Sequence, residues 1–440
     1  MPANRDVLGD GAARTGPGWE RARREGTRAS GVGPVPVRWV WLASWPVTAV
    51  FVLSNAATPL YVRWQHGIGF SKGTLTVVFA FYIVGLLGSL LFSGAASDRW
   101  GRKPVLVPAL LLAVVACVLF ATATTVTALL VARLLSGIAV GAVVSAGMAA
   151  VTEVAGPARR ALGALLASCA MVFGAGLGPF LAGLLSETVP GPTVTVFVVE
   201  AVLLLSALVA VWRLPLPGRA GAALARGALV RVPRVPKGDG VRLAAGLAVF
   251  APGITATSFV LSLGPSLLSG LLGTDSGIVA GSTAFVMFLS ATGVQFAVRP
   301  LRRRTVLSLS SAGTALGMAL LVVAVRSASV TALVAAAVLA GAGQGLGQLS
   351  GLTLLGTSVP TDRLAEANAA FNVGGYLPAG LLPVAVGYLS DAVGLTTGST
   401  LFAAVLFALA AAGAVFVTVR RGQLGEPSPS PSPEARGAAG

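Results

Sequence analysis

Runs of about twenty apolar residues, each closed by glycine, proline or charge, recur twelve times along this 440-residue chain. A helix of about twenty residues crosses the ~30 Å hydrocarbon core of a bilayer, where its backbone polar groups must be paired internally. The runs fall at roughly 39–61, 74–96, 104–124, 127–151, 161–186, 192–212, 243–270, 278–298, 305–325, 330–354, 367–390 and 398–418. Charge is scarce to match: 10% of residues are Asp, Glu, Lys or Arg, against about 25% in soluble domains. The sequence therefore predicts an all-α integral membrane protein with twelve transmembrane helices. The longest interior polar stretch, 214–242, reads as a cytoplasmic linker between six-helix bundles at 39–213 and 243–420. Residues 1–38 are rich in Arg, Gly and Pro, and 421–440 in Ser and Pro; both are expected to be disordered cytoplasmic tails.

The distribution of cations tests the count. With the N-terminus inside, 27 of the 31 Lys and Arg residues fall on inner segments. Only Arg63, Lys72 and Arg326 fall on outer loops, and Arg133 lies within a span. Losing any interior helix would mix the two sets, so the positive-inside rule favours twelve spans with both termini cytoplasmic, in an inner or plasma membrane. The net charge of +16 is then topogenic, and the expected partner is the lipid bilayer rather than nucleic acid. No cleavable signal is read before the first span, which is taken as an uncleaved anchor. Cys117 and Cys169 sit mid-span, and His66, the only histidine, falls in a short loop; no disulfide, metal or cofactor is expected. No acid–base pair or nucleophile–base set shares a depth, which argues against an enzyme.

Between the second and third spans lies Gly94-Ala-Ala-Ser-Asp98-Arg99-Trp100-Gly101-Arg102-Lys103-Pro104. Its four charges in six residues cannot sit in hydrocarbon, so they mark a turn at the membrane surface. Gly101 suits a backbone reversal, and Pro104 suits the first turn of the next helix. Asp98, with three cations close in sequence, is favoured in its ionised form. These residues alone fit a solvated topogenic loop or a fixed charge network. The string resembles the loop joining helices 2 and 3 in the major facilitator superfamily, G-x-x-x-D-R-x-G-R-[RK]-P, matching at Gly94, Asp98, Arg99, Gly101, Arg102, Lys103 and Pro104. The resemblance implies two pseudo-symmetric six-helix bundles. Glu153 and Arg159 match a salt-bridge cluster of that family, which with Asp98 and Arg102 implies a conformational latch between the halves.

Span 4 carries Arg133, Gly137 and Gly141, continuing through Ser145 and Ala149, a stripe of small residues that lets a neighbouring helix approach. A cation several residues into hydrocarbon costs about 2.5–3.5 kcal/mol, so Arg133 is expected to face a wet cavity or an anionic partner. The R-x-x-x-G arrangement resembles the family's helix 4 motif, which implies a link to proton coupling. In span 5, Gly174, Gly178, Pro179 and Gly183 fit a plain bend with close packing. As a string they resemble G-x-x-x-G-P-x-x-G-G of drug/proton antiporters, with Ala182 as the departure. Glu200 is the acid clearly within hydrocarbon, which disfavours the carboxylate form. It is either a proton-binding group, coupled to Arg133 at similar depth, or a carboxyl satisfied by packing on a peripheral helix. Span 1 has no acid.

The second half repeats the first weakly. Gly343, Gly347 and Gly351 echo span 4, and Gly374, Pro378, Gly380 and Pro383 echo span 5. The loop Arg299–Arg304 takes the place of the opening motif without its Asp, and Pro252-Gly253 and Gly264-Pro265 mark span 7 as able to break or flex. Paired halves with interrupted helices predict a central site at their interface. Helix position makes Trp45, Asn55, Gln344 and Gln348 the substrate-cavity candidates. The expectation is a monomeric secondary transporter working by alternating access, with proton-coupled efflux of small amphipathic compounds. The alternative is an uptake or exchange carrier for a metabolite such as a sugar or organic anion; a non-transporting receptor or scaffold is the third class.

Overall fold

A computed structural model describes residues 36–216, 239–360 and 363–420. Most of both tails and of the linker expected from the sequence lies outside these residues. Among the described residues, twelve helices are long and apolar enough to cross a membrane. They are α1 (Val37–Ile68), α2 (Lys72–Trp100), α3 (Lys103–Ala121), α4 (Val126–Ala155), α5 (Pro157–Thr188) and α6 (Pro192–Arg213), then α7 (Gly240–Gly270), α8 (Gly277–Ala297), α9 (Arg303–Arg326), α10 (Val330–Ser358), α11 (Glu366–Val393) and α12 (Leu395–Val419). The even count puts the start of α1 and the end of α12 on one face. That face also carries the arginine-rich connections α2–α3, α4–α5 and α8–α9, and is called the basic face below.

The helices form two six-helix halves. In the first, α1 packs on α5, α2 on α4, and α3 on α4 and α6; in the second, α7 packs on α10, α11 and α12, and α9 on α10 and α12. The halves join along two seams, α2 against α11 and α5 against α8. In lipid no hydrophobic force draws helices together, so close backbone approach must do so. Gly137 and Gly141 supply it against α2: a Cβ on Gly137 would run into the Tyr82 carbonyl, and one on Gly141 would lie 2.7 Å from the Leu86 carbonyl. Gly174 and Gly178 face Thr48, Phe51 and Val52 of α1 in the same way. Gly183 crosses a seam to the Gly277 carbonyl of α8, and Gly281 does so to the Pro179 carbonyl of α5.

Two expectations need correction: the break allowed for in span 7, and the loop placement of His66. Helix α7 is continuous from Gly240 to Gly270, and Pro179, Pro378 and Pro383, like Pro252 and Pro265, lie inside helices. The interruptions fall elsewhere. Helix α1 passes through a tight turn at Thr58–Leu60 and continues as Tyr61–Ile68, which places His66 in a helical turn rather than a loop. Helix α4 widens into a π turn at Val143–Gly147. On either side of it the helix meets different neighbours: Gly137 and Gly141 face α2, whereas Gly147 lies against Val47 of α1.

Four helices that start on the face opposite the arginines carry the same device. Ser71, Thr125, Ser276 and Ser329 each accept a hydrogen bond from the backbone N–H three residues on, closing the first turns of α2, α4, α8 and α10. Substituting Gly137→Val is expected to lower stability by about 1–3 kcal/mol through backbone overlap with α2, read as a lower Tm in detergent. Gly67→Ala, in open space, is the control and should leave the Tm unchanged. An unchanged Tm for Gly137→Val would show that α2 and α4 can part without loss.

Candidate functional site

The surface turn between α2 and α3 is shorter than the motif that marks it. Gly94–Trp100 form the last turns of α2, leaving Gly101 and Arg102 as the connection. Gly101 takes φ +97°, a conformation a side chain resists, and Pro104 occupies the first turn of α3. Arg102 is the hub. Its Nη1 donates to Ser97 Oγ at 2.7 Å and Asp98 Oδ1 at 2.9 Å, and its Nε and Nη2 donate to Glu153 Oε1 at 2.9 and 2.6 Å. Burial works against the Arg102 charge, but its bonds to Glu153 and Asp98 outweigh that and hold its pKa above the ordinary value. Lys103 Nζ donates to the Trp212 carbonyl at 3.0 Å, tying the end of α6 to the same turn. Arg99 is exposed beside it, and Arg159 sits in the short turn that opens α5. These bonds of Arg102 and Lys103 stay within the first half, so they brace that half rather than span to the second.

Arg133 is fully buried and has no anionic partner among the described residues. Its Nη1 donates to the Ser54 carbonyl at 2.7 Å, and its guanidinium carbon lies 5.2–5.5 Å from the ring centres of Tyr61, Phe79 and Tyr82. Nε and Nη2, and the nearby Tyr61 hydroxyl, have no hydrogen-bond partner. Three ring faces thus take the place of a counter-ion. Glu200 is also buried, on α6 where it packs against α3, and its Oε2 is without a hydrogen bond. No ion pair joins Glu200 to Arg133 among the described residues, so the coupled pair expected from their similar depth is not formed.

The seams separate toward the basic face. There a cavity of about 510 Å³ lies between α5 and the second half, lined by Leu165 and Ser168, Thr292, Gln295 and Arg299, and Ser350. A smaller one of about 220 Å³ separates Leu87, Leu90 and Leu91 of α2 from Asn368 and Asn372 of α11. The buried Thr292 Oγ1 and Asn368 Oδ1 have no hydrogen-bond partner. None of the sequence-derived cavity candidates lines either space. Trp45 Nε1 donates to Ser206 Oγ of α6 at 2.9 Å, and Asn55 Nδ2 to Ser54 Oγ at 3.0 Å and the Ala175 carbonyl of α5 at 3.5 Å. Gln344 is packed behind Gly253 of α7 with its Oε1 unpaired, and Gln348 is half-buried on the same helix. Arg133 and Glu200 stand outside both cavities as well. The residues missed, Thr292 with Gln295 and Asn368 with Asn372, had a signal: polar side chains three or four apart on otherwise apolar spans.

Two six-helix halves with a cleft between them are the architecture of a membrane transporter rather than an enzyme. The chain belongs to the Major Facilitator Superfamily, whose description it matches over residues 40–302 and 296–438. It is 31% identical over 117 residues to the multidrug resistance protein MdtL of Escherichia coli, a match covering 26% of this chain and 30% of that relative. The same figures hold for MdtL of Shigella boydii serotype 18. The chain thus spans under a third of the length of these curated relatives. Among solved structures, a bacterial homologue of the human lysosomal transporter Spinster, in an inward-facing and occupied conformation, superposes with a TM-score of 0.70 at 13% identity, covering 91% of this chain and 100% of that one. The nucleoside transporter NupG gives 0.64 at 13% identity over 86% and 98%. These likenesses establish the fold.

Because Arg102 and Glu153 are part-exposed, their pairing is expected to be modest. A double-mutant cycle of Arg102→Ala and Glu153→Ala should give a coupling energy of about 1 kcal/mol in unfolding measurements. Coupling indistinguishable from zero would leave the turn as a solvated topogenic loop.

Proposed function

We propose that this protein is a proton-coupled exporter of small amphipathic organic compounds, working by alternating access from the cytoplasmic side of a cell membrane. The basic face is read as cytoplasmic from the positive-inside rule. The observation that carries the reading is the 510 Å³ cavity between the halves, within the 300–1,000 Å³ range of small-molecule sites. Its lining mixes apolar side chains with uncharged polar groups from helices of both halves, beside two arginines at the basic-face end. Such a surface suits amphipathic molecules that differ in detail. The opposite end of both seams is closed by close contacts, so the cleft opens toward the basic face, as one state of an alternating-access cycle would. The helix 5 string and the partial likeness to a multidrug resistance protein support efflux.

Glu200 is the proton-binding candidate in this scheme. It acts through α3 and α6, away from substrate, so protonation would bias the first half between two packings rather than compete for the site. One observation favours a second reading. Arg299 and Arg303 both line the larger cavity, which suits a substrate bearing a carboxylate or phosphate and hence an uptake or exchange carrier.

Purified protein in proteoliposomes under an imposed pH gradient separates these readings. Export should collapse on adding an uncoupler, and Glu200→Gln should cut gradient-driven transport about tenfold or more while leaving counterflow exchange intact. Uncoupler-insensitive transport sinks the antiport mechanism. Unchanged pH dependence in Glu200→Gln returns that carboxyl to a packing role.

A further inference from the structure

The end of α5 is written again at the end of α11. Pro179-Phe-Leu-Ala-Gly183-Leu-Leu-Ser186-Glu187-Thr-Val189 recurs as Pro383-Val-Ala-Val-Gly387-Tyr-Leu-Ser390-Asp391-Ala-Val393. Proline, glycine, leucine, serine, a carboxylate and valine keep the same spacing. Both carboxylates lie exposed at the face opposite the arginines, and each reaches out of its own half. Asp391 Oδ1 accepts from Lys72 N–H at 3.0 Å and its Oδ2 from Gly73 N–H at 2.8 Å, in the first turn of α2. Glu187 Oε1 accepts from Ser276 Oγ at 2.7 Å and from Ile278 N–H at 3.0 Å, in the first turn of α8.

The two receiving turns are built alike. Ser71 takes the N–H of Thr74 and Ser276 that of Val279, and each carboxylate from the opposite half takes donors that the serine leaves. Each turn also holds a glycine at the crossing. A Cβ on Gly73 would run into the Tyr388 ring, and one on Gly277 into Ser186 Oγ. The nearby cations are Lys72 and Arg63, whose Nη2 donates to the Ser186 carbonyl at 2.9 Å. A carboxylate is favoured at a helix N-terminus by the unpaired N–H groups and the positive end of the helix dipole.

We propose that Glu187 and Asp391 are paired clasps that hold this face of the cleft shut, each binding the first turn of a helix in the other half, and that the two release together. The proposal rests on the alternating-access reading above. Because the clasps join the same two bodies along different seams, rocking that parts α2 from α11 also parts α5 from α8. Weakening either clasp therefore opens both seams. Exposure keeps each clasp weak, so the closed state is favoured without being locked.

The test uses the full chain in lipid nanodiscs, with Cys117→Ala and Cys169→Ala as background and one buried reporter per seam. Thr76→Cys lies under Gly387 of α11, and Ser186→Cys lies against Gly277 of α8. The readout is the rate of labelling by a membrane-impermeant maleimide. Asp391→Asn and Glu187→Gln should each raise the rate at both reporters about two- to five-fold, and together by about the product. Asp391→Glu and Glu187→Asp keep the charge and should label as slowly as the background. A rise confined to the reporter beside the altered residue indicates local fraying and overturns the coupled gate. Unchanged rates at both reporters, or equally fast labelling in the charge-preserving variants, overturn the clasps. A background protein whose reporters never label, even on warming, overturns alternating access and the clasps with it.

Discussion

The structure depends on how closely its helix backbones approach. Water drives apolar helices together in a soluble protein; lipid tails compete with them on equal terms. What remains is van der Waals fit, which falls away within a fraction of an ångström. Glycine supplies that fit inside each half, where Gly137 and Gly141 bring α4 onto α2, and Gly174 and Gly178 bring α5 onto α1. It also supplies it between halves, where Gly183 and Gly281 do the same for α5 and α8. The difference lies in extent. Within a half the contact runs through several helix pairs, while the halves share two seams that separate toward the basic face. Rigid bodies joined by narrow, one-ended seams are the mechanical requirement for rocking.

Arg133 shows how the same interior tolerates charge. Hydrocarbon makes a lone cation costly, and the ordinary remedy is an acid. Here the rings of Tyr61, Phe79 and Tyr82 surround the guanidinium while the Ser54 carbonyl takes one of its protons. The side chain thereby ties together α1, α2 and α4 at one depth. Its remaining N–H groups are unpaired, so any motion of α2 relative to α4 that admits water or an anion changes its energy directly. Glu200, on α6 against α3, is buried apart from Arg133 elsewhere in the same half.

The sequence made the membrane class, the spans and the surface turn legible because each rests on a strong local rule. Hydrocarbon excludes charge over twenty residues, and Gly101 lies in a tight turn where the backbone must reverse. Cavity residues were harder to read for an equally physical reason. A helix apolar all round gives no polar side from which to infer its rotation. Trp45 and Asn55 were therefore placed from the position of α1 in the bundle, and they turned out to point at α6 and α5. The π turn in α4 was likewise invisible, since a local change of winding leaves no mark on the composition. Glu187 and Asp391 went unassigned because most of their partners are backbone N–H groups, which carry no signature in a sequence.

The two ends of the cleft are held by different chemistry, and that asymmetry has a direction. At the basic face, the Arg102 cluster ties α2, α3 and α4 within the first half, and its counterpart Arg299–Arg304 lacks the acid at the matching place. At the opposite face, side chains meet helix termini across both seams in a repeated arrangement. The bonds of Arg102 and Lys103, lying inside one half, stiffen that half without opposing separation. A contact between halves opposes separation without stiffening either. The first kind therefore preserves rigid-body motion, and the second sets which side of the bilayer the cleft faces at rest.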